Sequence, residues 1–328
     1  MSVYTPLNTL QIQALLKDYS LGTLISFKGI SEGIENSNYF ITLQDDQAAR
    51  KEYVLTLFEQ LSANDLVFFT DLTAHLNAAQ LPVPCPMLDM NGRKIKSLAG
   101  KPAVIVPKIS GEHAQVVSLK QCEEIGRYLA RLHQAGKNFP TQPINKRAYT
   151  WIKASSTLLE ASLSPTEQEL LTQVLASLKH FIQFKPSLPR GIIHGDLFRD
   201  NVLFNNNKIS ALIDFYNACH DDWLYDIAIT VNDWCSTADG RLDQARADAL
   251  LTHYQHERPF TQNEKQCWTA LLLMASCRFW LSRLLSRQAF KSNKASASSQ
   301  HPVSIKDPEE YQTIVSHRLR SHLSANIK

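Results

Sequence analysis

Apolar positions in the first hundred residues fall in short runs. Three of them, "GTLISFKGI", "SNYFITL" and "KEYVLTLFE", are rich in β-branched and aromatic residues and predict strands. Gly29 and Gly33 punctuate the first connection. "NDLVFFTDLTAHLNAAQ" predicts a helix with Asn64 as its N-cap. The proline-rich "LPVPCP" cannot continue that helix. Asn91-Gly92 inside "MLDMNGRKIKSL" predicts a hairpin, and "KPAVIVPKI" a further strand.

After Ile109 the period changes. "SLKQCEEIGRYLARLHQAG" has apolar residues at Cys122, Ile125, Leu129 and Leu132, a helical spacing, with Gly136 as the stop. "TEQELLTQVLASLKHFIQF", "RLDQARADALLTHYQ" and "KQCWTALLLMASCRFWLSRLLSRQ" predict further helices. Lys291–Val303 is Ser/Ala-rich and aperiodic, which predicts a mobile loop. In the last helix, "KDPEEYQTIVSHRL", Asp307 is placed to cap and Pro308 to start. The fold class read from this pattern is α+β. Residues 1–107 form a small antiparallel-sheet lobe and residues 108–328 a larger, mainly helical one, with the change at Val106–Ile109.

Composition narrows the function. With 34 Lys plus Arg against 31 Asp plus Glu, the chain has no excess charge for nucleic acid or an anionic membrane surface. The most apolar helical stretch, "ALLLMASCRFWL", is interrupted by Arg278 and too short to span a bilayer. The N-terminus lacks the basic start and apolar core of a signal peptide. The six cysteines show no C-x-x-C or zinc-type spacing and read as reduced thiols, so a cytoplasmic protein is expected.

The charge that matters is concentrated in "IIHGDLFRDNVLFNNNKISALIDF". "NVLF" and "ISALIDF" read as strands joined by an Asn-rich turn. Pairing Phe204 with Ile209 brings Asn201 opposite Leu212 to Asp214, about 5 Å away. Asp196 enters at the same end. Two carboxylates and an amide, all oxygen donors, suit Mg2+ better than zinc. Asn201 and Asp214 are the candidate metal ligands. Asp196 is then available to address a hydroxyl that attacks a phosphate, the arrangement phosphoryl transfer requires. The bland alternative is a solvated loop, because Asp and Asn favour turns for local reasons. Asp214, inside "LIDF", is expected to be buried, and the bland reading does not explain a buried carboxylate there.

"HGDLFRDN…LIDF" followed by "WLYDIAI" resembles the aminoglycoside phosphotransferase-like branch of the protein-kinase fold. "EGIENSNYF", "HGDLFRDNVLF" and "KDPEEY" together resemble the homoserine kinases of that branch, and matching segments run nearly end to end. The resemblance implies a two-lobe kinase-like fold and ATP-dependent phosphorylation of the hydroxyl of L-homoserine, with ATP and Mg2+. It implies that Asp196 is catalytic, that Asn201 and Asp214 hold magnesium, that His194 braces the loop and that Asp226 ties the loop to a helix. It places the nucleotide-covering loop at "KGISEGIENSNY", with backbone N–H groups of Asn36, Ser37 and Asn38 toward phosphate. It places the adenine-binding hinge at "VPKI", through the backbone around Val106 and Lys108. One departure stands out: the third strand usually carries a lysine or arginine, and "YVLTLFE" offers Thr56 there. Lys28 and Lys51 are the candidate substitutes.

Homoserine is a zwitterion, so its carboxylate calls for an arginine and its ammonium for an acid. Arg283, and secondarily Arg278, are candidates for the first, with snorkelling on an apolar helix as the plain alternative. Asp222, with Asp221 and Asp233, is a candidate for the second, with helix capping as the alternative. Trp234, Trp223 and Tyr216 are candidate pocket walls or core. His133 reads as a packed helix residue. Other acceptors on the same fold (choline, methylthioribose, an aminoglycoside) and a nucleotide-binding module without turnover remain open. The expected partner is a small molecule, on a monomer or homodimer.

Overall fold

The protein is described from a computed structural model that covers residues 3–30, 36–295 and 306–325. The first element is a helix that the strand-like pattern does not announce, α1 (Thr9–Leu16). Asn8 and Gln11 close a reciprocal capping box at its start. Strands β1 (Thr23–Gly29), β2 (Ser37–Gln44) and β3 (Arg50–Leu57) follow as their composition predicts. The helix α2 (Ala63–Ala78) starts earlier than Asn64: Ser62 is its cap, boxed with Asp65. Strands β4 (Lys96–Leu98) and β5 (Lys101–Pro107) complete a five-stranded antiparallel sheet in the order β1-β2-β3-β5-β4.

The hairpin expected at Asn91-Gly92 is instead a side-chain-capped turn. The Asp89 carboxylate accepts from the N–H groups of Asn91 and Arg93 and pairs with Lys96 at 2.9 Å. That local satisfaction replaces a ladder, and the hairpin turns at Ala99-Gly100, both with positive φ. The inward positions of the sheet, Tyr39, Ile41, Leu43, Tyr53, Leu55 and Ile105, pack with Ile12, Leu15 and Leu16 of α1 into one core.

Helices dominate thereafter: α3 (Leu119–Gly136), α4 (Tyr149–Leu159), α5 (Pro165–Phe184), α6 (Trp223–Trp234), α7 (Gln244–Glu257), α8 (Gln262–Ala295) and α9 (Pro308–Ala325). α8 carries helix through Lys291–Ala295, where the sequence predicts a loop; the rest of that expected loop, residues 296–303, lies outside the described residues. Asp307 accepts from Glu309 N at 2.9 Å and caps α9, with Pro308 as its first residue. Gly136 ends α3, though for packing rather than for a left-handed cap: a Cβ there would sit 2.9 Å from Ile192.

Among the helices lie two small sheets. One pairs β6 (Arg190–Ile193) with β9 (Cys219–Asp222); the other pairs β7 (Val202–Asn205) with β8 (Lys208–Leu212). Asn206 and Asn207 both have positive φ, 49° and 61°, the backbone of a two-residue hairpin loop. The chain forms two compact units. One holds the described residues up to Gly111 together with Ser210–Ile213, and the other most of the chain after Gly111. Among the described residues no helix is long and apolar enough to cross a membrane, and all six cysteines are free thiols, five of them buried.

Candidate active site

The segment between β6 and β7 is fixed from several sides. Asp226, on α6 and fully buried, accepts from the N–H groups of His194 and Gly195, both at 2.8 Å. Trp234 Nε1 donates to Leu197 O at 3.0 Å. Arg199 N donates to Asp233, and the Arg199 guanidinium meets the same carboxylate at 3.2 and 3.3 Å. Arg278, on α8, donates to Gly195 O at 2.7 Å. Gly195 has φ +74, and a Cβ there would lie 2.7 Å from Asn217 O, so only glycine fits. His194 is fully buried with its ring 4.5 Å from that of Phe215.

Asp196 and Asn201 come together as the spacing predicts. Asn201 is buried, and its Nδ2 donates to Asp196 O at 2.8 Å, which leaves Oδ1 as the end available to a cation. Asn217 Nδ2 donates to Asp196 Oδ2 at 3.2 Å and orients the carboxylate. Burial pushes the Asp196 carboxyl up to about 7; the positive charge of Arg278 opposes this, the charges of Asp214 and Asp200 add to it, and Lys306 opposes it. Asp214 is therefore close enough for its charge to be felt at Asp196. It is exposed, however, not buried. β8 ends at Leu212, and Asp214 stands beyond it with φ 62° and ψ 60°, a left-handed backbone rare outside glycine and typical of functional turns. Exposure removes the desolvation argument for its function. The strained backbone and the proximity to Asp196 replace it.

A second layer supports Asp226. His133 Nε2 lies 3.1 Å from Asp226 Oδ2, and His133 Nδ1 lies 2.7 Å from Tyr254 Oη. Tyr254 Oη also accepts from Arg258 Nε, and Arg258 pairs with Glu264. Burial favours the neutral imidazole and lowers the His133 pKa. For Asp226, burial alone would raise the pKa; the hydrogen bonds from His133 and the loop amide hold it below its ordinary value. Neutral His133 thus donates to an ionised Asp226 and accepts from Tyr254. The Trp223 ring stacks on His133 with centroids 5.6 Å apart, and Trp234 is fully buried, so both tryptophans belong to the core.

The acceptor candidates are placed less simply. Asp222 pairs with Lys185 and with Arg190, Asp221 accepts from Asn145 at 2.6 Å, and Asp233 pairs with Arg199. Each carboxylate already has protein partners, so none of the three offers an unshared charge for an ammonium. Arg283 donates to Asp307 O and Glu310, with its guanidinium over the Tyr311 ring. Its fork is closed. Arg278 is 3% exposed, and its Nε has no hydrogen-bond partner.

In the sheet unit, Ser37 and Asn38 already belong to β2. Ser37 Oγ accepts from the N–H groups of Tyr4 and Thr5 and donates to Glu59, a structural role for that side chain. Asn36 is half-buried just before the strand; residues 31–35 of the expected covering loop lie outside the described set. Thr56 Oγ1 donates to Asn38 Oδ1 at 2.7 Å, which explains what the usual cation's position does here. Lys51 pairs with Asp45 at 3.0 Å, and Lys28 lies on β1 opposite Phe40. Lys108 N donates to Glu52 O, and Val106 pairs with Val54, so at Lys108 only the carbonyl stays available to a base.

Comparisons with known proteins give the family and the fold. Residues 26–260 match the phosphotransferase enzyme family. A homoserine kinase of Pseudomonas aeruginosa (strain UCBPP-PA14) is 41% identical over 97% of this chain and 96% of its own. The chain belongs to the homoserine kinases of the phosphotransferase enzyme family. A homoserine kinase of Methylobacillus flagellatus is 40% identical, again over 97% of this chain and 96% of its own. Two solved structures share the fold at low identity. An amicoumacin kinase, solved with AMP-PNP and Ca2+, gives a TM-score of 0.68 at 15% identity over 97% and 94% of the two chains. A spectinomycin phosphotransferase, solved with ADP, gives 0.67 at 12% over 98% and 99%. The expected kinase-like α+β fold is therefore the observed one, and the protein is an ATP-using phosphotransferase.

Proposed function

We propose that the protein transfers the γ-phosphoryl group of ATP to the hydroxyl of L-homoserine, giving O-phospho-L-homoserine and ADP, in the cytoplasm. The observation that carries the reading is end-to-end identity of about two residues in five with homoserine kinases, joined to the Asp196–Asn201–Asp214 arrangement.

Asp196 receives the acceptor. Its carboxylate, turned by Asn217, accepts a hydrogen bond from the substrate hydroxyl and takes the proton late, as the new O–P bond forms and the bond from phosphorus to the ADP oxygen breaks. A carboxyl raised toward 7 is a better proton acceptor than an ordinary aspartate. Asn201 and Asp214 present oxygen donors only, the set that Mg2+ takes. Bound there, Mg2+ would neutralise charge on the phosphate oxygens. Nucleotide contacts are assigned to the backbone at Asn36, Ser37 and Asn38 and to the carbonyl of Lys108, since the Val106 backbone is paired with Val54. Arg278 fixes Gly195 O and sets a positive charge beside Asp196.

Asp196→Ala should lower kcat by about 10²–10⁴-fold with ATP affinity nearly unchanged. A coupled ADP-release assay with L-homoserine, L-serine, choline and methylthioribose checks both parts. Near-normal turnover by the variant would refute the mechanism, and activity with choline alone would refute the acceptor.

A further inference from the structure

The cations around Asp196 are not equivalent. Arg199 is held by Asp233, and Arg283 by Glu310 and the Asp307 carbonyl. Arg278 is buried behind the loop on Gly195 O. Lys306 differs from all three. Its charge reaches Asp196, yet its side chain is 45% exposed. It pairs with Asp200, which is 53% exposed and four residues after Asp196 in the same loop, at 2.5 Å. An ion pair this exposed contributes little to stability and opens at little cost.

The pair is nevertheless held in place. Lys306 Nζ lies 5.3 Å from the centroid of the Phe198 ring. Phe198 is 3% exposed and packs on Phe279 at 4.4 Å and on Tyr311 at 6.1 Å, a fixed aromatic platform beneath the ammonium. Asp200 follows Arg199, which Asp233 anchors through both backbone and guanidinium. One positive and one negative group are thus presented side by side on the loop of Asp196, over the Phe198 ring, whose own N–H donates to Asp196 O at 2.8 Å. An α-amino acid carries a carboxylate and an ammonium on one carbon, the complementary arrangement.

We propose that Lys306 and Asp200 recognise the α-amino-acid end of the acceptor, Lys306 binding its carboxylate and Asp200 its ammonium. The inter-residue ion pair is exchanged for two pairs with the substrate. The assignment rests on the homoserine reading above and names the groups that select a zwitterion among small alcohols.

Steady-state kinetics with MgATP on the full chain test it, using Lys306→Met, Lys306→Arg and Asp200→Asn. The acceptors are L-homoserine, 3-aminopropan-1-ol, which lacks the carboxylate, and 4-hydroxybutyrate, which lacks the ammonium. Lys306→Met should raise KM for homoserine about 10- to 100-fold, the usual loss for a charge-assisted hydrogen bond, with KM for ATP unchanged. It should also shrink the preference for homoserine over 3-aminopropan-1-ol. Lys306→Arg should restore much of both. Asp200→Asn should instead shrink the preference over 4-hydroxybutyrate. Unchanged homoserine KM and unchanged discrimination, or equal losses for ATP and homoserine, overturn the assignment while leaving the homoserine reading intact. A wild-type chain that phosphorylates other alcohols but not homoserine overturns that reading and this assignment together.

Discussion

Asn217 shows how a single amide shapes the chemistry. Its carbonyl lies where only a glycine can face it, at Gly195, and its Nδ2 donates to the carboxylate of Asp196. One residue therefore sets both the backbone before Asp196 and the direction of its lone pairs. Asn217→Ala keeps the backbone contact and removes the donor. Its kcat should fall about 10- to 100-fold, the cost of one hydrogen bond to a charged group, with KM for ATP unchanged. Rapid-quench measurement of the chemical step checks this, and a chemical step at the wild-type rate would show that Asp196 orients without Asn217.

At the scale of elements, the support of the catalytic loop depends on how closely α3 and α7 approach. Gly126 of α3 allows that approach: a Cβ there would stand 2.1 Å from Leu250 O and 3.1 Å from Tyr254 N. Because α7 also carries Tyr254, and α3 carries His133, the spacing of the two helices fixes the His133–Tyr254 hydrogen bond. Gly126→Ala should destabilise the fold by about 1–3 kcal/mol through overpacking. It should also lower kcat, because displacing His133 loosens Asp226 and with it the N–H groups of His194 and Gly195. Urea denaturation and kcat measured on the same preparation should both change; unchanged stability would mean that the helices yield at this contact.

For the whole molecule, the site opposes stability. With neither metal nor nucleotide bound, Asp196 has a folded pKa of about 7, above the ~3.9 of an unfolded aspartate. Ionising it therefore costs the fold nothing below about pH 4, progressively more up to about pH 7, and a constant amount above. Asp196→Asn removes that cost. The metal-free, nucleotide-free variant should be more stable than the wild type at pH 8 by roughly 1–3 kcal/mol, after discounting for the partial exposure of the carboxylate. The advantage should fade toward pH 4. Denaturation midpoints across pH 4–8 decide the matter, and a difference independent of pH would contradict the raised pKa.

The features readable from the sequence are those whose physics is local. Asn206-Asn207 accepts the left-handed backbone, so the β7–β8 hairpin follows from two adjacent residues, and the contact of Asn201 with Asp196 follows from their five-residue spacing in one loop. The phosphotransferase reading followed from the same stretch. Local signals also mislead when a side chain intervenes: Asn91-Gly92 has hairpin chemistry, but the Asp89 carboxylate satisfies that turn and moves the hairpin to Ala99-Gly100. Only the tertiary structure decided which charges are already paired. Asp222, Asp233 and Arg283 looked available along the chain, and each meets an ion-pair partner 27 to 37 residues away. Lys306 and Asp200 are 106 residues apart, and no periodicity or spacing relates them. A charge's availability depends on its neighbours in space, and packing chooses those neighbours.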